Sequence, residues 1–184
     1  MFIQTEQTPN PATLKFLPGR DVMPDGVVDF SGPEQAEGSP LARRLFSVEG
    51  VTGVHLGHDF ISVSKSDGED WYLLKPAVLG AIMEHFMSGD PVVEAGADLP
   101  GEREIDESDP TVVKIKELID TRVRPAVAQD GGDIVFHGFE RGIVYLHMRG
   151  ACAGCPSSVV TLKNGIENLL KYYVPEVSEV RAVG

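Results

Sequence analysis

Apolar residues in the C-terminal half of the chain recur at two spacings, one typical of helices and the other of strands. Spacings of three and four predict one helix with Pro110 in its first turn and a second that stops at Pro175. The first has its apolar face at Val112, Ile115, Ile119, Val123 and Ala126. The second has its apolar face at Val159, Leu162, Ile166, Leu169 or Leu170, and Tyr173. Alternating apolar positions in "IVFHGF" and "IVYLHM" predict a hairpin, and "VSEVRAV" predicts a closing strand.

The N-terminal half shows the same mixture of patterns. "FIQTEQ" and "ATLKFL" predict strands, "GVTGVHLGHDFISVSK" predicts a hairpin and "PVVE" predicts a short strand. "SPLARRLF" predicts a short helix, and "DWYLLKPAVLGAIMEHFMSG" predicts a longer amphipathic one. Trp71 and Tyr72, at the start of that longer helix, are expected to belong to the core.

The periodic pattern stops between the two halves. "EAGADLPGEREIDESDP", residues 94–110, contains seven carboxylates, two prolines and two glycines. Such a composition is typical of a solvated, flexible linker, which we place at residues 95–108. The sequence therefore predicts an α/β (α+β) protein of two small domains, residues 1–94 and 109–184. Each domain is expected to have a short sheet packed with helices on one side.

Charge and composition disfavour some classes of function. Lys and Arg number 16 against 28 Asp and Glu, giving a formal charge of −12. A surface of this sign repels phosphate backbones, so nucleic-acid binding is disfavoured. No run of apolar residues approaches the roughly 20 that a membrane span needs. The first residues, "MFIQTEQTPNPATLKFLPG", show neither a secretory signal nor a transit-peptide pattern, which predicts a soluble, cytoplasmic protein.

Both cysteines of the chain lie in one segment, "RGACAGCPSS", residues 149–158. Cys152 and Cys155 form a C-x-x-C between a predicted strand and a helix that begins near Pro156. The helix N-terminus favours thiolate, the form that binds metal, and the small neighbouring residues leave room for an inorganic centre. Metal or cluster binding is therefore favoured over a thiol–disulfide redox pair, which a βαβ pattern would accompany. Two reduced cysteines without chemistry are the remaining alternative.

Two cysteines supply only half of a four-ligand site. Iron–sulfur clusters of the 2Fe–2S and 4Fe–4S types and structural zinc sites take four cysteines. The simplest completion is a second copy of the chain, related by a two-fold axis through the cysteine segment. His137 and His147 lie on the predicted hairpin and are weaker candidates as ligands. His55, His58 and His85 have no recognisable ligand spacing.

Three segments in order resemble the Nfu type of iron–sulfur cluster scaffold and carrier proteins. "GACAGCPSSVVTLKNGIENLLK", residues 150–171, is similar to the cysteine-containing core of the domain shared with the C-terminus of NifU. "VRPAVAQDGGDI", residues 123–134, is similar to the segment before it, and "TEQTPNPATLKFLPG" to the opening of the family's N-terminal domain. Within the second segment, the turn at Gly131, Gly132 and Asp133 either lies close to the cysteines or simply ends a helix.

The resemblance implies that Cys152 and Cys155 bind a labile 4Fe–4S cluster, one per two chains, in a homodimer bridged by the cluster. The implied role is that of a scaffold and carrier, not an enzyme. Such a protein receives its cluster from upstream assembly proteins and transfers it to apo iron–sulfur enzymes. The N-terminal domain, which has no cysteine, is expected to dock partners. The location implied is a bacterial cytoplasm, or the mitochondrial matrix for a trimmed eukaryotic form.

Overall fold

The chain folds as two compact units, residues 1–101 and 102–184. The structure, a computed structural model, describes residues 1–101, 104–153 and 156–183, without the side chains of residues 156–159. Each unit combines a sheet and helices around its own hydrophobic core, which confirms the predicted two-domain α+β class. Among the described helices, none has the length and apolar content needed to cross a bilayer.

The N-terminal unit is a five-stranded antiparallel sheet with two α-helices. The strands stand in the order β1-β2-β5-β4-β3. They are β1 (Gln4–Gln7), β2 (Thr13–Leu17), β3 (Val28–Phe30), β4 (Val51–Leu56) and β5 (Ile61–Lys65). The helices are α1 (Pro40–Phe46) and α2 (Trp71–Ser88). Buried residues of the sheet and of both helices, among them Phe16, Leu41 and Ile82, form one core.

Local sequence signals fix the ends of these helices. The Ser39 hydroxyl accepts a hydrogen bond from the Ala42 amide at 3.1 Å, and Asp70 accepts one from the Tyr72 amide at 2.9 Å. Helix α2 ends at Gly89, whose φ of 79° suits the left-handed conformation that terminates helices. Because the caps are encoded locally, both helices were predictable from the sequence.

The strands of this unit differ from the sequence predictions in two places. Strand β3 was not predicted, because three residues in a Gly- and Pro-rich segment show too little alternation. "PVVE", predicted as a strand, is not one. Its backbone instead forms hydrogen bonds with the residues just before α1. The Val92 carbonyl accepts from the Ser39 hydroxyl at 2.7 Å, and the Glu94 amide donates to the Gly38 carbonyl at 2.8 Å.

The C-terminal unit is a three-stranded sheet with helices before and between its strands. The strands stand in the order β6-β7-β8, with β6 and β7 antiparallel and β7 and β8 parallel. The strands are β6 (Gly132–Glu140), β7 (Ile143–Gly150) and β8 (Glu179–Val183). The helices are α3 (Pro110–Leu118), α4 (Arg124–Gln129) and α5 (Pro156–Tyr173). Asp109 caps α3 through the Thr111 amide, and a two-residue turn joins β6 to β7, as the predicted helix start and hairpin require.

A π-helical turn, Ile119–Val123, joins α3 to α4 and shifts the buried face by one residue. The sequence pattern places Ala126 on the apolar face, but Ala126 is exposed and Val127 is buried. The Arg124 amide donates to the carbonyl of Ile119, five residues back, and each π turn adds one residue to the helix. Pro125 follows, where the missing N–H removes a normal helix hydrogen bond.

The acidic segment between the units carries two apolar side chains that pack on opposite cores. Leu99 packs against the N-terminal core and Ile105 against the C-terminal core. Both lie inside the predicted linker, residues 95–108. The segment that joins the two cores is therefore the five residues between Leu99 and Ile105, of which the structure describes 100, 101 and 104.

His85 is a buried polar group in α2. It is 0% exposed, and neither ring nitrogen has a hydrogen-bond partner among the described residues. Burial holds the pKa of His85 below its ordinary 6.5, with Arg44 adding to the fall and Asp90 opposing it. A folded state that binds its proton less readily than the unfolded chain loses stability as pH falls below 6.5.

His85→Met is expected to raise the free energy of unfolding by about 1–2 kcal/mol. The substitution replaces a buried imidazole without hydrogen-bond partners by an apolar side chain of similar volume. The gain should be larger at pH 5.5 than at pH 7.5. Urea unfolding followed by fluorescence of Trp71, the only tryptophan of the chain, reports on this unit. His58→Gln, at an exposed side chain, is the control and should change little. A variant less stable than the parent at both pH values would contradict the assignment.

Candidate metal centre

The C-x-x-C segment leaves β7 at the corner of the sheet where β6 begins. Antiparallel pairing sets Gly150, the last residue of β7, opposite Gly132, the first of β6. Gly131 and Gly150 have φ values of 77° and 58°, which glycine adopts without steric cost. These two glycines turn the backbone at both strand ends and bring residues 151–153 against the turn between α4 and β6.

Hydrogen bonds hold the backbone around Cys152 to that turn. The Ala151 amide donates to the carbonyl of Gly131 at 3.2 Å. The amides of Cys152 and Ala153 donate back into the end of β7, at 3.2 and 3.1 Å. Both alternatives left open for Gly131, Gly132 and Asp133 therefore hold: the turn lies close to the cysteine segment, and it also ends helix α4.

Cys152 lies inside the protein. It is 7% exposed and belongs to the hydrophobic core of the C-terminal unit. A Cβ placed on Gly132 would overlap Sγ of Cys152 and come within 3.0 Å of its amide nitrogen. The position of the cysteine thus depends on the absence of a side chain at residue 132.

Gly132→Ala is expected to push Cys152 out of its place in the core and to lower the free energy of unfolding by about 1–3 kcal/mol. Iodoacetamide should then alkylate Cys152 faster than in the parent protein, because the thiol becomes more exposed. The control is Gly138→Ala in the same strand, where a Cβ meets no atom within 4 Å. Mass spectrometry of the alkylated peptides measures the rates. Equal alkylation of Cys152 in both variants would contradict the close contact.

A partly buried ion pair, between Arg124 and Asp133, stabilises the same corner of the sheet. Asp133, 4% exposed, accepts two hydrogen bonds from Arg124, from Nε to Oδ1 and from Nη2 to Oδ2, each at 2.9 Å. The two parallel bonds fix the planes of both groups. Nη1 of Arg124 also lies 3.4 Å from Asp120. The pair ties the start of α4 to the first residues of β6, directly beside Gly132.

The surroundings of Cys152 favour its protonated form. Burial raises the pKa of the thiol to about 12, and the charges of Asp133 and Asp130 add to the rise, while a hydrogen bond from the Asp133 backbone opposes it. The predicted preference for thiolate is therefore wrong for Cys152. The prediction relied on the positive end of α5, but α5 begins at Pro156 and the Cys152 side chain lies in the core instead.

The other candidate ligands are Cys155, His137 and His147. Cys155 lies outside the described residues. His147 lies on the opposite face of β7 from the buried Leu146 and Met148, as predicted, and His137 lies partly exposed on β6. Within residues 1–101, 104–153 and 156–183, no three His, Cys, Asp or Glu side chains form a group able to hold a metal ion.

Sequence reasoning missed the ion pair and the burial of the cysteine. Arg124 and Asp133 are nine residues apart across the α4–β6 turn, a separation without a helical or strand period. The weak signal that was available is an Arg and an Asp flanking a Gly-Gly turn. Burial of Cys152 had no signal of its own, because it follows from the tertiary contact with Gly132.

Both halves of the chain match known protein families. Residues 3–89 match the family "Scaffold protein Nfu/NifU N terminal", and residues 115–181 match the "NifU-like domain". A solution NMR structure of a NifU-like protein from Saccharomyces cerevisiae is 24% identical, with a TM-score of 0.42. The match covers 52% of this chain and 86% of that one.

Curated relatives match along the whole chain. A human protein named "NFU1 iron-sulfur cluster scaffold homolog, mitochondrial" is 52% identical over 184 residues, and the chain covers 72% of its length. A protein of the same name from Drosophila sechellia is 53% identical, and the chain spans 65% of its length. Both names place the relatives in mitochondria, so they do not support the predicted cytoplasmic location. With two family domains in order and a human relative at this identity, the chain belongs to the Nfu/NifU family of iron–sulfur cluster scaffold proteins.

Proposed function

We propose that this protein carries a labile 4Fe–4S cluster between two protomers and transfers it to apo-proteins. The observation that carries the proposal is the incomplete ligand set at the end of β7. The chain contains two cysteines, and the described residues around Cys152 offer no further group of metal ligands. Cys152 and Cys155 of one protomer, with the same pair of its partner, supply the four thiolates that a 4Fe–4S cluster takes.

Division of the ligands between two chains suits a protein that gives its cluster away. Each chain holds half of the bonds, so separation of the protomers removes two ligands at once. A recipient with its own thiolates then displaces the remaining pair. The family is one of scaffold proteins, and we propose that this chain catalyses no turnover of its own.

Loading of the cluster requires a change at Cys152. A cluster binds thiolate, whereas the described position of Cys152 is buried and favours the thiol. We therefore assign that position to the unloaded protein. On loading, Cys152 loses its proton and leaves the core, and the segment from Ala151 to Ala153 moves with it. Gly150, at the end of β7, permits such a movement because glycine has no Cβ.

The burial of Cys152 speaks against a thiol–disulfide enzyme. A reactive cysteine of that class is partly exposed and has a lowered pKa, and Cys152 has neither property. A zinc site shared by two protomers would use the same four thiolates. The two sites differ in that the zinc-loaded protein is colourless and is unfolded or destabilised when a chelator removes the metal.

Anaerobic reconstitution with iron and sulfide tests the proposal. The expected product is brown, has the Mössbauer parameters of a 4Fe–4S cluster, and restores activity to an apo-enzyme of the 4Fe–4S type when the two are mixed. The apo-protein should reduce insulin disulfides at no more than the rate of free dithiol. A colourless product with tightly held zinc, or a cluster that no recipient accepts, would contradict it.

A further inference from the structure

Helix α2 of the N-terminal unit has an apolar outer face. Its inner face packs on the core through Leu74, Val78 and Ile82. A surface helix normally turns charged residues toward water, but here one continuous stripe of exposed residues is apolar or small. The stripe consists of Tyr72, Pro76, Gly80, Met83 and Met87. Tyr72 is 84% exposed and Met87 78% exposed, so the prediction that placed Tyr72 in the core is wrong, although Trp71 does pack there.

The spacing of the stripe fits a helix partner. Its residues follow each other at intervals of four, four, three and four, and they therefore lie on one line along the helix. Gly80 is in the middle, with the methionines on one side and the proline and tyrosine on the other. A shallow groove lined by Arg44, Gly80, Met83, Glu84, Met87 and Ser88 runs along this part of the helix.

No contact among the described residues explains a glycine at position 80. A Cβ added there meets no atom within 4 Å, and its φ is not positive. Glycine inside a helix costs about 1 kcal/mol relative to alanine, so the fold alone favours alanine at this position. Small residues in the middle of a helix face allow another backbone to approach closely. The glycine thus points to a partner helix seated on the stripe.

The charges around the stripe select the partner. The N-terminal unit, residues 1–101, has six Lys and Arg against 15 Asp and Glu. Asp70, the N-cap of α2, lies at one end of the stripe. Glu84 and Asp90 flank the other end and share Arg44, at 3.1 and 3.0 Å, and Arg20 lies 4.8 Å from the ring centroid of the nearby Phe86. Lys75 lies off the stripe on the same helix.

This distribution of charge disfavours two other occupants. A second copy of the chain would bring one N-terminal unit with an excess of nine negative charges against another. An anionic lipid surface would meet the same repulsion. We propose that the outer face of α2 is a docking site for a basic amphipathic helix, presented by a partner protein. The unbranched methionines adapt to different apolar surfaces, which suits a site that receives more than one partner.

Two synthetic helical peptides test the docking site on the full-length chain. Both have the same face of Leu and Ala, and they carry Lys at both ends or Glu at both ends. Fluorescence anisotropy at low and at physiological salt gives the dissociation constants. We expect the Lys-ended peptide to bind at least about tenfold more tightly, with the difference shrinking as salt is added.

Substitutions at glycine separate docking from folding. Gly80→Leu fills the groove and should weaken binding of the Lys-ended peptide at least about tenfold. Gly80→Ala should raise the melting temperature and also weaken binding. The matched control is Gly165→Ala in α5, where a Cβ also meets open space: it should stabilise equally and leave binding unchanged.

The remaining outcomes overturn the proposal. Equal affinity for the two peptides, or an affinity that Gly80→Leu leaves unchanged, would exclude this site. A concentration-dependent dimer of the apo-protein that Gly80→Leu dissociates would make a second copy the occupant. Binding to phosphatidylglycerol vesicles that Gly80→Leu abolishes would make a lipid surface the occupant. None of these outcomes depends on cluster binding, so the cluster-carrier proposal stands or falls separately.

Discussion

Cys152→Ser and Cys155→Ser are each expected to abolish stable cluster binding. The chain has no other cysteine, and each substitution removes two of the four thiolates from a shared site. After anaerobic reconstitution and desalting, both variants should be colourless and retain only background iron and sulfide. The fold should survive: Ser in place of the buried Cys152 costs about 1–3 kcal/mol, within the stability of a small domain.

The control for this prediction is Ala153→Ser. It adds a hydroxyl between the two cysteines, at a partly exposed position, and removes no ligand. It should therefore assemble a cluster with the iron content of the parent protein. Far-UV circular dichroism checks that all three variants are folded. A normal cluster on either cysteine variant would mean that the ligands are not shared as proposed.

Cleavage of the chain between Leu99 and Ile105 is expected to release two folded fragments. Each fragment keeps its own core, and the acidic segment is the predicted flexible linker. The C-terminal fragment holds both cysteines and should bind one cluster per two chains, with dimerisation dependent on the cluster. Transfer of the cluster from this fragment to recipient proteins should be slower, because α2 and its proposed docking site remain on the N-terminal fragment.

The position of the cut provides a matched comparison. A fragment that begins at residue 104 keeps Ile105, which packs against the C-terminal core, and one that begins at residue 109 loses it. The shorter fragment should be less stable by about 1 kcal/mol, with its cluster content unchanged. Urea unfolding by circular dichroism measures the difference. A longer fragment that does not fold alone would place the domain boundary elsewhere, and a full cluster on a monomeric fragment would exclude the two-fold site.

Much of the fold follows from short-range signals in the sequence. The helix start at Pro110, the short helix of "SPLARRLF" and the β6–β7 hairpin each depend on residues a few positions apart, and each is found as predicted. The predictions fail where a contact between distant residues, or an irregular helical turn, determines which side chains are buried. The π turn before Pro125 shifts the buried face from Ala126 to Val127, and no period in the sequence announces it.

At the candidate site, too, the local features were predictable and those set by tertiary contacts were not. The C-x-x-C and the nearby glycine turn were recognisable, because their chemistry and spacing are local. The burial of Cys152 was not, because the sulfur lies against Gly132, twenty residues away, and beside the pair of Arg124 and Asp133. Tyr72 was assigned to the core because aromatic residues usually pack, whereas the apolar outer face of α2 leaves it exposed.

Native mass spectrometry of the reconstituted protein, under anaerobic conditions, tests the central claim most directly. The account predicts a dimer whose excess mass equals one 4Fe–4S cluster, and an apo monomer that appears when the cluster is removed by chelation. The ratio of cluster to chain should remain one to two at every protein concentration at which the cluster is bound. A monomer that carries a complete 4Fe–4S cluster, or a dimer that carries two, would contradict a site built from Cys152 and Cys155 of two protomers.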